Sequence, residues 1–129
     1  MIPNIYHFVY FGFTPFTYVH YLAILTCWLV NKPDSIYIYI YEYPKNNTIW
    51  WQKIQSIVIL ERVNRVTEIF GNKVKKYQHQ ADIVRLKKLI EKGGVYLDLD
   101  IICVKPLSIF YEEKCVLGKQ CEQIGRAHV

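Results

Sequence analysis

No Lys, Arg, Asp or Glu precedes Lys32, and Ala occurs only 3 times in 129 residues. So long an uncharged opening has the look of a membrane segment, yet Pro3, His7, Gly12, Pro15 and His20 interrupt it. The run from Phe16 to Val30 is shorter than the ~20 apolar residues that span a bilayer. No positive charge stands ahead of it, as a secretory leader requires. The opening therefore reads as core, with no transmembrane segment, and the chain is expected to be cytoplasmic. The 4 cysteines, Cys27, Cys103, Cys115 and Cys121, form no C-x-x-C pair. This excludes a zinc ribbon or a redox couple of that spacing and points to buried or free thiols in a reducing compartment. Repeats, linkers and low-complexity tracts are lacking as well.

What is present is apolar: 52% of the residues are hydrophobic, with 17 Ile and 11 Tyr. That composition excludes a disordered or collagen-like chain and fits an AT-rich source genome. A net charge of +5 admits a polyanion partner, but a nucleic-acid footprint needs its cations gathered on one face. Here only Lys73, Lys75, Lys76 and then Arg85, Lys87, Lys88, Lys92 come close. They read as solvated helix surface, a phosphate-bearing small ligand being the other option, and no nucleic-acid partner is expected.

Periodicity orders the chain. Ile5 to Phe11 is a short β-branched and aromatic run closed by Gly12, and Thr17 to Leu29 carries helical spacing. Ser35 to Tyr43 alternates Ile and Tyr with the period of a strand. Thr48 is placed to cap a helix bearing Trp50 and Trp51. Those two indoles suit either a sugar platform or, the preferred reading, helix packing. Ser56 to Leu60 is a third apolar run. Gln80 to Lys92 predicts a helix with Ile83, Leu86 and Ile90 on its inner side and Lys87, Lys88 and Glu91 outward, ended by Gly93. Val95 to Val104 predicts a strand stopped by Pro106. Alternating strands and helices imply an α/β fold with a mostly parallel, Rossmann-like sheet and flanking helices.

The chemistry concentrates in Gly93-Gly94-Val95-Tyr96-Leu97-Asp98-Leu99-Asp100. On a continuous strand Tyr96, Asp98 and Asp100 would share one face, the carboxylates about 6.5 Å apart, with Val95, Leu97, Leu99 and Ile101 on the other. Two like charges in an apolar strand ask for a cation, and oxygen-only ligands favour Mg²⁺ or Mn²⁺. Alone, Asp-x-Asp is common as solvated turn or edge residues. Asp82 and Arg85, three apart on the preceding helix, share a face and suit sugar hydroxyls or phosphate, or else form a plain surface ion pair. His7 and His79 read as satisfied core or turn histidines.

The run Ala81-Asp82-Ile83-Val84-Arg85 through Gly93 to Asp100, then Lys105-Pro106-Leu107, resembles the signature of the glycosyltransferase family known for its DXD sugar-binding region. The opening Ile2-Pro3-Asn4-Ile5-Tyr6-His7-Phe8-Val9-Tyr10 is similar to that family's Ile-Pro-Lys-x-x-His-x-x-Trp start. The family includes α-mannosyltransferases, α-galactosyltransferases and capsular polysaccharide sugar transferases. The resemblance implies a GT-A fold, a nucleotide-sugar donor (UDP- or GDP-hexose), Mn²⁺ or Mg²⁺, a glycan, lipid or protein acceptor, and retention of configuration. It implies that Asp100 binds the metal and acts with Arg85 in catalysis, and that Asp98 touches ribose or sugar and reaches the metal. Asp82, Arg85 and Tyr96 would hold the donor sugar, while Val9 and Tyr10 would line the nucleobase, Tyr10 in place of a stacking Trp. A non-catalytic nucleotide- or sugar-binding module with a structural cation at the Asp pair is the alternative.

The last six residues, Ile124-Gly125-Arg126-Ala127-His128-Val129, are what ATC GGA AGA GCA CAC GTC encodes, a common sequencing adapter. Residues 124–129 are therefore expected to be an artefact. Residues 1–123 are expected to be the N-terminal, donor-binding part of a single transferase domain, truncated after the Asp-x-Asp strand and inactive by itself.

Overall fold

The computed structural model describes residues 1–44, 47–65, 68–69, 71–73, 76–113, 120–123 and 126–128. Four parallel strands form its sheet: β1 (Ile5–Val9), β2 (Ser35–Ile40), β3 (Ile59–Arg62) and β6 (Val95–Tyr96), in the order β3-β2-β1-β6. Helices α1 (Tyr18–Asn31), α2 (Ile49–Ile54) and α3 (Tyr77–Lys92) connect them. Two antiparallel pairs complete the elements, β4 (Glu68–Ile69) with β5 (Asn72–Lys73), and β7 (Gln120–Gln123) with β8 (Arg126–His128). The expected α/β architecture is the one observed. Lys75, Cys115, Ile124, Gly125 and Val129 lie outside the described residues.

Local chemistry sets the element ends. Thr17 caps α1 in a reciprocal box, its Oγ1 accepting from His20 N while its own N–H donates to His20 Nδ1 at 3.1 Å. Thr48 Oγ1 accepts from Trp51 N at 3.3 Å and starts α2. Trp51 is buried in the core and Trp50 packs against Tyr18 and Tyr21, so both indoles serve packing.

The alternation read in β2 has a consequence on each face. Ile36, Ile38 and Ile40 join Tyr6, Phe8, Ile24, Cys27, Trp51 and Ile54 in the core beneath α1 and α2. Tyr37 and Tyr39 lie on the opposite face, stacked on His7 of β1 at 5.8 Å between ring centroids. α3 covers that second face. It does so with a stripe other than the one its hydrophobic spacing predicts: Gln80 and Val84 are buried and Lys88 is nearly so, while Leu86 and Ile90 are exposed. The surface beneath is aromatic and polar, which suits long amphipathic side chains better than Ile. Lys88 Nζ lies 5.3 Å over Tyr39 and pairs with Glu61 at 2.5 Å, and Lys92 Nζ lies 5.0 Å over Tyr37. These two lysines are therefore half-covered sheet contacts rather than solvated surface.

The strand expected over Val95 to Val104 is much shorter. Among the described residues β6 has one neighbour, β1, and its last rung is Leu97 N–H to His7 O at 3.1 Å. Beyond that rung the backbone turns: Ile101 N–H donates to Asp98 O at 3.1 Å, and Ile101 is exposed instead of facing the core. The chain then runs back along α1 to a 3-10 helix, Leu107–Phe110, which starts after Pro106.

Candidate functional site

β1 is flanked by β2 on one side and by β6 on the other, with α1 leading from β1 to β2 across one face of the sheet and α3 leading into β6 across the other, so the strand order reverses between β1 and β6. The crevice at that reversal is where open parallel sheets bind ligands. The segment after β1, the first turns of α3 and the Asp98–Ile101 turn all open onto it.

Four of the residues singled out from sequence are joined there. Arg85 Nη2 pairs with Asp82 Oδ1 at 3.2 Å, and the Arg85 guanidinium lies 5.3 Å over the Tyr96 ring. The Tyr96 hydroxyl is turned to the Asp98 carboxylate. Burial and the nearby Asp98 charge push its pKa well above the usual tyrosine value. Asp82, Arg85, Tyr96 and Asp98 thus form one relay, with an ion pair, a cation-π contact and a tyrosine hydroxyl beside a carboxylate. Both partners of the Asp82–Arg85 pair are substantially exposed, so it adds little stability and leaves guanidinium donors free for a ligand.

Asp100 sits on the same turn and is exposed. Its charge is felt by His20 of α1, whose pKa burial lowers and Asp100 partly restores. Among the described residues neither Asp98 nor Asp100 is ion-paired with Lys or Arg, and no three His, Cys, Asp or Glu side chains converge on one point. Two exposed carboxylates on one turn suit a hard cation that takes its other ligands from phosphate and water. The sequence predicts both carboxylates on one strand face, whereas the structure sets them on a turn, Asp98 near Tyr96 and Asp100 near His20.

Val9 ends β1 at the crevice, in register with Tyr39. Tyr10 does not offer the open ring face that stacking on a base requires. It is 5% exposed, with Phe16 at 5.1 Å and Trp51 at 5.4 Å between centroids, and its hydroxyl donates to Thr14 O. Burial pushes its pKa up to about 12. Aromatic surface at this edge comes instead from residues that sequence reasoning missed. Phe13 and Tyr77 are partly exposed, 5.0 Å apart, and Arg65 lies 5.0 Å over Phe13 and 5.8 Å over Tyr77. The available signal was the phenylalanine pair Phe11 and Phe13 just after the first strand. Gly12 between them has φ +99, and a Cβ there would meet Glu42 O at 2.0 Å, so only glycine lets the segments after β1 and β2 touch.

His7 is buried with both ring nitrogens bonded, which makes it a core histidine. No helix among the described residues is long and apolar enough to cross a membrane.

Acidic and basic side chains thus gather at the switch point of a parallel α/β sheet, the place where such folds take ligands. Residues 23–120 match the family model described as "Glycosyltransferase sugar-binding region containing DXD motif", and the chain belongs to that family. Its sheet is consistent with a GT-A-like nucleotide-sugar transferase domain. Among curated proteins the chain is similar to "Glucan organizing enzyme 1" of Cryptococcus neoformans var. grubii, 29% identical over 98% of this chain. The chain spans 36% of that relative's length. No solved structure matches it.

Proposed function

We propose that this chain is the donor-binding part of a metal-dependent glycosyltransferase that moves a hexose from a nucleotide-diphosphate sugar to a glycan or other acceptor, with retention of configuration. The observation that carries the reading is the relay from Asp82 through Arg85 and Tyr96 to Asp98 at the β1/β6 switch point. A structural cation site would need the carboxylates alone.

Asp98 and Asp100 would hold Mn²⁺ or Mg²⁺. Bound there, the cation supplies charge that stabilises the departing diphosphate without proton transfer. Arg85 adds fixed positive charge beside Tyr96, where preorganised donors favour negative charge developing on the leaving group. Asp82 orients that guanidinium and offers an acceptor to sugar hydroxyls. Val9 lines the base end, and Phe13 and Tyr77 give it an aromatic wall. The "glucan" in the relative's name favours a glycan acceptor in polysaccharide synthesis, with the cytoplasm as the expected site.

The test is a thermal-shift titration with UDP and GDP, each with Mn²⁺, with Mg²⁺ and with EDTA. Protection by a nucleoside diphosphate only when metal is present is expected, and Asp100→Ala should abolish it. Stabilisation by metal alone, indifferent to nucleotide, would establish the non-catalytic module with a structural cation. No stabilisation under any condition would refute the assignment.

A further inference from the structure

Cys27 and Cys103, from distant parts of the chain, meet under the segment that follows the aspartate turn. Both are free and buried within the main core, and each thiol lies close enough to perturb the other. One side of α1 grips this segment at successive points. Thr26 Oγ1 accepts the Cys103 N–H at 3.0 Å, Cys27 meets the Cys103 thiol, and Asn31 Oδ1 accepts the Leu107 N–H at 2.9 Å. Thr26 Oγ1 is itself fixed by donating to Leu22 O at 2.7 Å.

Two cysteines acting only as small apolar fillers would need no donor nearby. Here there is one. Asn31 Nδ2 is the sole buried side-chain nitrogen or oxygen without a hydrogen-bond partner among the described residues, and it lies beside both sulfurs, where it favours the thiolate. The neighbouring Cys27 thiol holds the Cys103 pKa down, while proximity to Cys103 and burial push that of Cys27 up. One sulfur is thus prepared to attack and the other to resolve. Cys103 is 8% exposed against 0% for Cys27, so a reagent reaches Cys103 first.

We propose that Cys27 and Cys103 form a reversible intrachain disulfide that fastens the segment after the Asp98–Asp100 turn to α1. The oxidant is a small-molecule disulfide of the glutathione type. The Cys103 thiolate attacks one of its sulfurs, the oxidant's S–S bond breaks, and one thiolate leaves and takes up the proton Cys103 released. Cys27 then loses its proton and displaces the second thiolate from Cys103, so that the Sγ–Sγ bond forms. Two protein thiols are oxidised by two electrons and one disulfide is reduced to two thiols. Formation of this bond does not depend on what the aspartates hold.

The test uses the full chain carrying Cys115→Ser and Cys121→Ser, folded in reductant, exchanged into oxidised glutathione and digested without reduction for mass spectrometry. A peptide linked through Cys27 and Cys103, lost on adding dithiothreitol, is expected, with the oxidised form melting higher by roughly 10 °C. In a further Cys27→Ser variant the mixed disulfide at Cys103 should accumulate. A mixed disulfide that persists with Cys27 present, absence of any cross-link under native conditions, or a lower melting point on oxidation would each overturn the proposal.

Discussion

His7 and Gly93, 86 positions apart in sequence, are joined by a 2.7 Å hydrogen bond from the imidazole Nε2 to the glycine carbonyl. A carbonyl only accepts, so Nε2 carries the proton and Nδ1 accepts from the Tyr39 hydroxyl, also at 2.7 Å. One buried ring therefore ties β1 to β2 and to the glycine turn that delivers Tyr96, Asp98 and Asp100.

Replacing His7 by Phe leaves the buried Tyr39 hydroxyl and the Gly93 carbonyl without that partner. Two polar groups deprived in this way cost about 3 kcal/mol together. Urea unfolding should show the loss, and a variant as stable as the parent would contradict it.

The same ring sets a pH dependence. Burial holds the His7 pKa below its ordinary 6.5, helped by the charges of Lys92 and Lys88 and opposed by the Gly93 bond and Glu61. Above 6.5 the ring is neutral folded and unfolded, so stability does not vary on its account. Below it the unfolded chain binds the proton first, and stability falls by up to about 1.4 kcal/mol per pH unit for the group. His20 is shifted the same way and adds to the slope. Urea midpoints from about pH 7.5 to 5 should decline in the parent and less steeply in His7→Phe; identical slopes would count against the assignment.

Gly94 and Gly71 both have positive φ, +100 and +79, but a Cβ on Gly94 would lie 2.2 Å from Ile5 O while one on Gly71 meets nothing within 4 Å. Gly71→Ala should cost about 1 kcal/mol from backbone strain, and Gly94→Ala about 3 or more because β1 and β6 must move apart. Equal destabilisation in chemical unfolding would remove the steric argument.

Tyr96→Phe keeps the ring beneath Arg85 and removes only the hydroxyl turned to Asp98. Nucleoside diphosphate affinity in the presence of Mn²⁺, read by calorimetry, should weaken roughly tenfold with little change in melting temperature without ligand. Arg85→Lys keeps the charge but not the planar fork, and should weaken binding by a similar factor. Unchanged affinity in both would separate the relay from ligand binding.

Thr17 and Thr48 as caps, the Ile and Tyr alternation of β2 and the glycines after α3 were legible because each rests on contacts within a few residues. The grouping of Asp82, Arg85, Tyr96 and Asp98 was legible from motif resemblance, though not the way they touch. Tyr10 shows the limit. An aromatic after the first strand suits a ligand or the core equally well, and the rings of Phe16 and Trp51, distant in sequence, assign it to the core.

Period and local capping, which need no distant partner, sufficed for the order of the main strands and helices, and motif resemblance for Asp82, Arg85, Tyr96 and Asp98 at the crevice, though not for Phe13 and Tyr77. Tertiary structure decided which stripe α3 buries and where β6 stops. A helix turns inward whatever suits the surface beneath it, and here His7, Tyr37 and Tyr39 drew Gln80, Val84 and Lys88 rather than Ile83, Leu86 and Ile90. A strand lasts only while a neighbour bonds it, so β6 ended after its last bond to β1, and the two aspartates came to stand on a turn.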